Sequence, residues 1–352
     1  MSDIVLYFFT VCVMVAVLAA YSYRMNKHID LKRLKQNAAA IKEITKTKLI
    51  AVVKADAYGH GDVICAAALS DIADAFAVAE ISEARRLTGA GIKKDVLVLS
   101  EPYDGGDYPS EVVFTAFDQK SFRFLSGKNR RFAVKIDTGM NRLGLSESEF
   151  LKIKDKIGTY KVHSVFTHIY DKSAALLQTE AFKNITSGLN VPKHIFASNL
   201  IYRDGEYFDF VRPGLLLYGY GADFVLPVMS VTAKILQTRR VKKGENVGYG
   251  VCPTERDAII ATIDVGYADG FRRKREGEER TVSVGGKRRR VVGQVCMDTC
   301  MIEADESVSP GDDAIILGDD LTADELAAEW HTVSYDVLTS LGRCRAKTEY
   351  VN

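Results

Sequence analysis

The chain reads as an α/β protein: a (β/α)8 barrel of the TIM type followed by a mostly antiparallel β domain. Three observations predict this. Short apolar runs alternate with helix-compatible stretches through the first two thirds of the sequence, and such alternation builds a parallel sheet. Eight runs fall within roughly 170 residues, the repeat number of a closed barrel. After about residue 225 the helical stretches stop, and strand-like runs separated by turns take over. A doubly wound open sheet is the alternative. It normally carries a GxGxxG turn after its first strand, and none is present here.

The elements follow in order. Ile4 to Tyr23 contains no charged residue, and a run of about 20 such residues is long enough to span a bilayer. Arg24, Lys27, Lys32, Arg33 and Lys35 follow it, which predicts a membrane anchor over 1–24 with the rest on the cytoplasmic side. Met1-Ser2-Asp3 lacks the basic start of a secretory signal. His28 to Asn37 reads as a short strand and then a helix, with Leu31, Leu34, Ala38 and Ile41 at helical spacing. The eight barrel runs are Leu49–Val53, Ala75–Ala79, Val96–Leu99, Val112–Phe114, Phe132–Ile136, Val162–Phe166, His194–Ala197 and Leu215–Leu217. Ser82–Thr88, Ser146–Ile157 and Ala174–Ser187 are among the helices between them. These place a barrel over 25–225 and a β domain over 226–352. The β domain would hold strands near Met229–Leu236, Ala258–Val265, Thr281–Val284, Val291–Val295, Cys300–Ile302 and Ala314–Leu317. Two helices, Ala323–Glu329 and Val333–Leu341, close it.

Composition narrows the function. With 352 residues, 47% of them hydrophobic, and a net charge of +1, the chain lacks the basic excess of a nucleic-acid binder. The run Lys287–Arg290 follows Gly285-Gly286 and reads as a solvated hairpin. The six cysteines form no CxxC pair and no histidine completes a zinc site, so no metal is expected. Reduced thiols fit a cytosolic catalytic portion.

In a barrel the working residues sit at the C-terminal ends of strands. Lys54 ends the first run, Lys135 to Gly144 the fifth, Thr167-His168 the sixth and Ser198 the seventh, while Arg212-Pro213-Gly214 introduces the eighth. Singly, each has a plain structural reading: a solvated lysine, a hydrogen-bonded histidine, a helix cap. Together they bring cationic and hydroxyl groups to one mouth, where an anion such as a phosphate would be held by backbone N–H groups near the last strands. A lysine beside a partly dry pocket can have its pKa lowered, and can then act as a base or form an imine.

The motifs are more specific than the single residues. Lys54-Ala-Asp-Ala-Tyr-Gly-His-Gly61 resembles the pyridoxal-phosphate lysine motif of the alanine racemases. Lys135–Gly144, Val211–Gly219, Val247–Gly250, Val265–Gly270, Cys296–Asp298 and Thr332–Asp336 resemble further blocks of that family in the same order. The resemblance runs from about Asp30 to Arg345. It implies a pyridoxal-phosphate-dependent amino-acid racemase, interconverting L- and D-alanine for cell-wall peptidoglycan and working as a homodimer with shared active sites. Lys54 would carry the cofactor and act as base on one face of the substrate α-carbon, with Tyr249 of the partner subunit as base on the other. Tyr58, Ser198, Tyr335 and the backbone of Gly214 and Leu215 would hold the phosphate. Arg212 would face the pyridine nitrogen. His168 would line the cofactor site and add cationic charge that helps the tyrosine. Arg142 and the backbone N–H of Met297 would bind the substrate carboxylate. Lys135 would be a candidate for carbamylation, orienting Arg142.

Some positions depart from the family pattern. Asp56 stands where asparagine is usual, Ala197-Ser198-Asn199 replaces an Asn-Ser order, Thr299 replaces a glutamine, and Tyr170-Asp171 is atypical. Tyr335 crowds the pocket and favours a small side chain. Serine racemisation on the same fold is the nearest alternative. A non-enzymatic pyridoxal-phosphate-binding protein would lack the C-terminal domain and its tyrosine, and this chain has both.

Overall fold

The computed structural model describes residues 25–352 other than 203, 204 and 206. The chain divides into two compact units, residues 31–228 and a second made of 25–30 with 229–352.

The first unit is a closed barrel of eight parallel strands: β2 (Lys48–Val52), β3 (Ala75–Val78), β4 (Asp95–Val98), β5 (Val112–Ala116), β6 (Phe132–Lys135), β7 (Val162–Phe166), β8 (Lys193–Ala197) and β9 (Phe210–Arg212). Strands β2 and β9 pair to complete the ring. The strands are continuous apolar runs because both faces are covered; Leu49, Ile50, Ala51, Phe76, Val113 and Phe132 are fully buried. The outer helices are α1 (Leu31–Thr45), α2 (Asp62–Leu69), α3 (Ile81–Gly89), α4 (Gln119–Gly127), α5 (Glu147–Leu151) and α6 (Ala175–Ile185). Amphipathic spacing places Leu34, Ala38 and Ile41 of α1 in the core, as the sequence predicts. No helix lies between β4 and β5. There Tyr103 packs on Phe114 and Phe124, at ring-centroid distances of 4.7 and 5.4 Å.

The eighth strand is a correction. It is Phe210–Arg212, and Leu215–Leu217 lies in a 3-10 turn over Leu215–Tyr218. Pro213 has no N–H to continue a ladder. The Ser198 hydroxyl then accepts from the N–H groups of Gly214 (2.8 Å) and Leu216 (3.2 Å), and the Leu217 N–H closes back on the Gly214 carbonyl (2.9 Å). The leucines are apolar because the turn is buried.

The second unit is an eight-stranded sheet in the order β11-β14-β13-β12-β15-β10-β1-β16. Its strands are β1 (Met25–Asp30), β10 (Met229–Val241), β11 (Ala258–Ile263), β12 (Thr281–Val284), β13 (Lys287–Val292), β14 (Cys300–Ala304), β15 (Asp313–Leu317) and β16 (Lys347–Val351). Helices α7 (Ala323–Glu329) and α8 (Ser334–Leu341) complete it. All pairings are antiparallel except β1 with β16. Strand β1 pairs with β10 and β16, so residues 25–30 belong to this sheet, whereas the sequence reading assigns them to the barrel. The basic run forms β13, joined to β12 through Gly285-Gly286 with φ of 59° and 74°. These values suit the primed turn of a two-residue hairpin.

The expected transmembrane helix is also corrected. Among the described residues no helix is long and apolar enough to cross a membrane. Residues 4–23, on which that expectation rests, lie outside the described residues.

Candidate active site

The barrel mouth is built around the turn that follows β2. Ala55, Asp56, Ala57 and Tyr58 all have φ between 52° and 55°, a left-handed helical turn made without glycine. Such a conformation costs about 1–2 kcal/mol per residue, so the surroundings must impose it. They do so through several bonds. The Ala57 N–H reaches the Val53 carbonyl (2.9 Å), and the Gly61 N–H the Asp56 carbonyl (2.9 Å). The Asp56 carboxylate accepts from the Asp62 N–H (3.0 Å) at the start of α2. The His60 ring stacks on Tyr218 with centroids 4.4 Å apart, and the Tyr218 hydroxyl donates to the Val52 carbonyl (3.0 Å). Glu83 of α3 is buried; one oxygen accepts from the Ala55 N–H (2.6 Å), the other from Ala79 (2.7 Å) and Glu80 (3.1 Å).

This frame presents Lys54. Its amine makes no hydrogen bond or ion pair among the described residues. Burial lowers its pKa, the Arg142 cation lowers it further, and Glu83 opposes both. The shift is toward the neutral amine, the form that can act as nucleophile or base.

Beyond β6, the segment 137–144 folds back on its strand: the Asp137 N–H bonds the Leu145 carbonyl (2.8 Å), and the Leu145 N–H the Lys135 carbonyl (2.9 Å). Gly144 (φ +130°) is required there, because a Cβ would lie 2.7 Å from the Asp137 nitrogen. Arg142 is exposed on this segment. Lys135 is buried, and its amine donates to the Leu143 carbonyl. Burial lowers its pKa to about 8, helped by Arg142 and Arg212 and opposed by Asp137. The Thr138 and Thr167 hydroxyls lie 2.9 Å apart, and Gln178 bonds Thr138 (3.0 Å) and the His168 carbonyl (3.3 Å).

His168 does not carry the positive charge expected of it. Burial, then Arg212, Arg142, Lys135 and Lys54, push its pKa down to about 3. The imidazole is neutral at physiological pH because it is buried and basic side chains already crowd the mouth.

At β9, Arg212 is buried. It donates to the Thr167 carbonyl (2.8 Å), the Ile195 carbonyl (3.2 Å) and His194 Nδ1. Its pKa falls to about 9 through burial, so it stays a cation at neutral pH. Its Nε–H has no protein partner among the described residues. Alongside, a Cβ on Gly214 would lie 2.4 Å from the Tyr58 hydroxyl oxygen. The missing side chain therefore lets the phenol of Tyr58, the hydroxyl of Ser198 and the backbone of Gly214 and Leu215 converge. That is an anion cradle of neutral donors.

The barrel thus brings together Lys54, Tyr58, Lys135, Arg142, His168, Ser198, Arg212, Gly214 and Leu215. Tyr249, Met297 and Tyr335 belong to the other unit. Tyr249 sits on the loop between β10 and β11, 71% exposed, between Gly248 and Gly250 at φ of 75° and 81°. Asn246 ties that loop by bonds to the Gly248 carbonyl (2.9 Å) and the Cys252 N–H (2.6 Å). Met297 is exposed on a turn whose carbonyl accepts from the Ala268 N–H (3.0 Å). Arg345 ties the same turn to Asp298 and Asp269, each at 2.8 Å. Tyr335 opens α8. Sequence reasoning missed Glu83, Gln178, His194 and Tyr218. Glu80-x-x-Glu83 ahead of a helix is a legible capping pattern, and a histidine inside the apolar run of β8 is a legible anomaly. Gln178 carries no such mark.

Comparison with known proteins agrees with this arrangement. Residues 29–222 match the model of the alanine racemase N-terminal domain, and 228–350 that of the alanine racemase C-terminal domain. The alanine racemase of Thermodesulfovibrio yellowstonii is 36% identical, over 93% of this chain and 98% of that protein. Alanine racemase 1 of Bacillus subtilis is 33% identical, over 89% and 90%. Among solved structures, alanine racemase from Bartonella henselae with covalently bound pyridoxal phosphate superposes with a TM-score of 0.86 at 27% identity, covering 93% of this chain and 99% of that one.

Proposed function

Because the chain belongs to the alanine racemase family, we infer that it interconverts L- and D-alanine with pyridoxal phosphate, using Lys54 and Tyr249 of the partner subunit as its two bases. The observation that carries the reading is the unpartnered amine of Lys54 on a strained turn beside an anion cradle. The residues fit the cofactor. Gly214 leaves room at the cradle, and Arg212 is a buried cation with a spare Nε–H.

Bound pyridoxal phosphate supplies the electron sink that makes the α-hydrogen of an amino acid removable. The protein supplies the rest. Tyr58, Ser198, Tyr335 and the backbone N–H groups of Gly214 and Leu215 would hold the phosphate. Arg212 would face the ring nitrogen and, donating a hydrogen bond without surrendering the proton, would keep that nitrogen unprotonated. Arg142 and the Met297 N–H hold the substrate carboxylate. Lys54 Nζ removes or returns the α-proton on one face; the Tyr249 hydroxyl does so on the other. The lowered pKa of Lys54 supports its share. The exposure of Tyr249, with Val251 beside it 97% exposed, supports delivery of the phenol to a second copy in a homodimer with shared sites.

Lys135 is the candidate for carbamylation. Its neutral amine would add to carbon dioxide, forming a nitrogen–carbon bond and releasing one proton. The resulting carbamate would lie beside Arg142 as an anion that orients the guanidinium. The lowered pKa of about 8 supports this by raising the neutral fraction.

The test is circular dichroism of purified protein with pyridoxal phosphate and L- or D-alanine, run beside the serine enantiomers. Racemisation of alanine faster than serine is expected. Absence of racemisation of either would overturn the reading, and a preference for serine would overturn the substrate.

A further inference from the structure

The barrel floor holds a second polar construction, which the reaction described above does not use. His194 on β8, Ser164 and His163 on β7, and Asp95 on β4 form a continuous line that starts at Arg212. Arg212 donates to His194 Nδ1. His194 Nε2 lies 2.9 Å from Ser164 Oγ, and Ser164 Oγ lies 2.9 Å from His163 Nδ1. His163 Nε2 lies 3.4 Å from Asp95 Oδ2, and Asp95 is paired with Arg131 (2.8 Å).

Local strand geometry explains how two adjacent residues share this line. Successive side chains of a strand point to opposite faces. Between β6 and β7 the register slips: Val162 faces Phe132 and Ser164 faces the next residue, Ala133, leaving His163 as the extra residue of a bulge. A bulge re-aims a side chain. The His163 ring stacks near Phe210 of β9, with centroids 6.0 Å apart.

Two of the hydrogen-bond directions follow from the groups present. A guanidinium only donates, so His194 Nδ1 accepts. His194 is fully enclosed, which lowers its pKa well below the usual value, as does Arg212 beside it. The neutral ring therefore carries its proton on Nε2 and donates to Ser164. The Ser164 hydroxyl, having accepted from His194, has its own proton to give to His163 Nδ1, 2.9 Å away. In that arrangement His163 turns an Nε2–H toward a carboxylate. Burial raises the pKa of Asp95, but the His163 and Arg131 contacts outweigh it and hold it down at about 2, so the line ends on an anion.

We propose that His194, Ser164 and His163 form a one-way hydrogen-bond relay that positions Arg212 and ties the buried guanidinium to the carboxylate of Asp95. No carboxylate pairs with Arg212 among the described residues, and its other acceptors are the carbonyls of Thr167 and Ile195. A chain of aligned hydrogen bonds polarises cooperatively in a low-dielectric interior, so a distant carboxylate can favour a buried cation through the two rings and the hydroxyl between them. The three are positioning residues, since they act on the cofactor site through Arg212. The inference rests on the reading of Arg212 as a cofactor-facing residue. Its test therefore includes a readout independent of turnover.

The experiment is nitrogen NMR of the holoprotein with pyridoxal phosphate, labelled at its six histidines. In the native protein, His163 and His194 should both show a bare Nδ1 and a protonated Nε2. A Ser164→Ala variant should lose that signature at His163 and lower kcat on the order of 10-fold, one hydrogen bond's worth, with KM changed less. If Ser164→Ala does not fold, Asp95→Ala removes the last acceptor from the rim and should mix the tautomers of His163 with a smaller loss of kcat. An imidazolium or an Nδ1–H form at either ring in the native protein would overturn the relay. So would a kcat and histidine spectrum unchanged in the folded variant. Native tautomers as stated, in a protein that racemises nothing, would leave the relay standing and reject the functional reading instead.

Discussion

Two turns carry the two residues proposed as bases, and they are built in opposite ways. The turn 54–61 is left-handed over 55–58, where it has no glycine, and is cross-linked to α2, α3 and Tyr218 inside one unit. The loop 246–253 is closed by its own asparagine and glycines, and leaves Tyr249 71% exposed. The first draws its environment from its own unit: the basicity of Lys54 is set by burial, Arg142 and Glu83. The second presents a phenol. A reaction with two bases needs one fixed to the cofactor and one able to approach from the other face. The strain of the first turn and the openness of the second suit that proposed division of labour.

The largest expected effect breaks the first turn. Lys54→Ala should abolish the visible absorption of the lysine-linked cofactor and lower turnover by about 10³-fold or more; a normal spectrum would reject Lys54 as the anchor. Next comes the second turn. Tyr249→Phe should slow exchange of solvent deuterium into one alanine enantiomer by about 10²–10⁴-fold and spare the other by comparison. Symmetric loss would count against a one-face role.

Smaller effects sharpen the contrast within the barrel. Gly214→Ala pushes a methyl toward the Tyr58 hydroxyl and should weaken pyridoxal-phosphate binding by about 1–3 kcal/mol, read by fluorescence titration. Lys135 should take up ¹³C-labelled carbon dioxide increasingly as pH rises through about 8. The sign follows from its depressed folded pKa. The unfolded chain, at 10.5, binds the proton that the folded one has lost, so this group adds stability as pH climbs from about 8 toward 10.5. A flat uptake profile would remove Lys135 from the carboxylate-binding arrangement. Least of all, Asp56→Asn keeps an oxygen for the Asp62 N–H and, aspartate and asparagine being near-equal caps, should shift the unfolding midpoint only slightly.

Much of this was legible beforehand for a physical reason. The barrel strands are buried on both faces and announce themselves as apolar runs, and the residues that end them are the ones a parallel barrel places at its mouth. Lys54, Arg142, His168 and Ser198 are legible that way. Leu215–Leu217 misled because a buried 3-10 turn and a buried strand share one composition; only Pro213 ahead of it hinted otherwise. The assignment of residues 25–30 misled because a strand does not reveal in sequence which of two later partners it will join. The neutrality of His168 could not be seen at all, since it depends on burial and on basic groups drawn from three other strand ends. Glu83 and His194 left marks that a reading for capping and for polar intrusions into strands would have caught.

The position of β1 between β10 and β16 has a consequence for biogenesis. Its antiparallel neighbour is not translated until roughly 200 residues later, which at ordinary ribosomal speeds of about 5–20 residues per second is roughly 10–40 seconds. The strand must wait through that interval with its hydrogen-bonding edges uncovered while the barrel is completed. Its alternation of buried and half-buried positions, with Asn26, His28 and Asp30 on the less buried side, lowers its appetite for other nascent chains in the meantime.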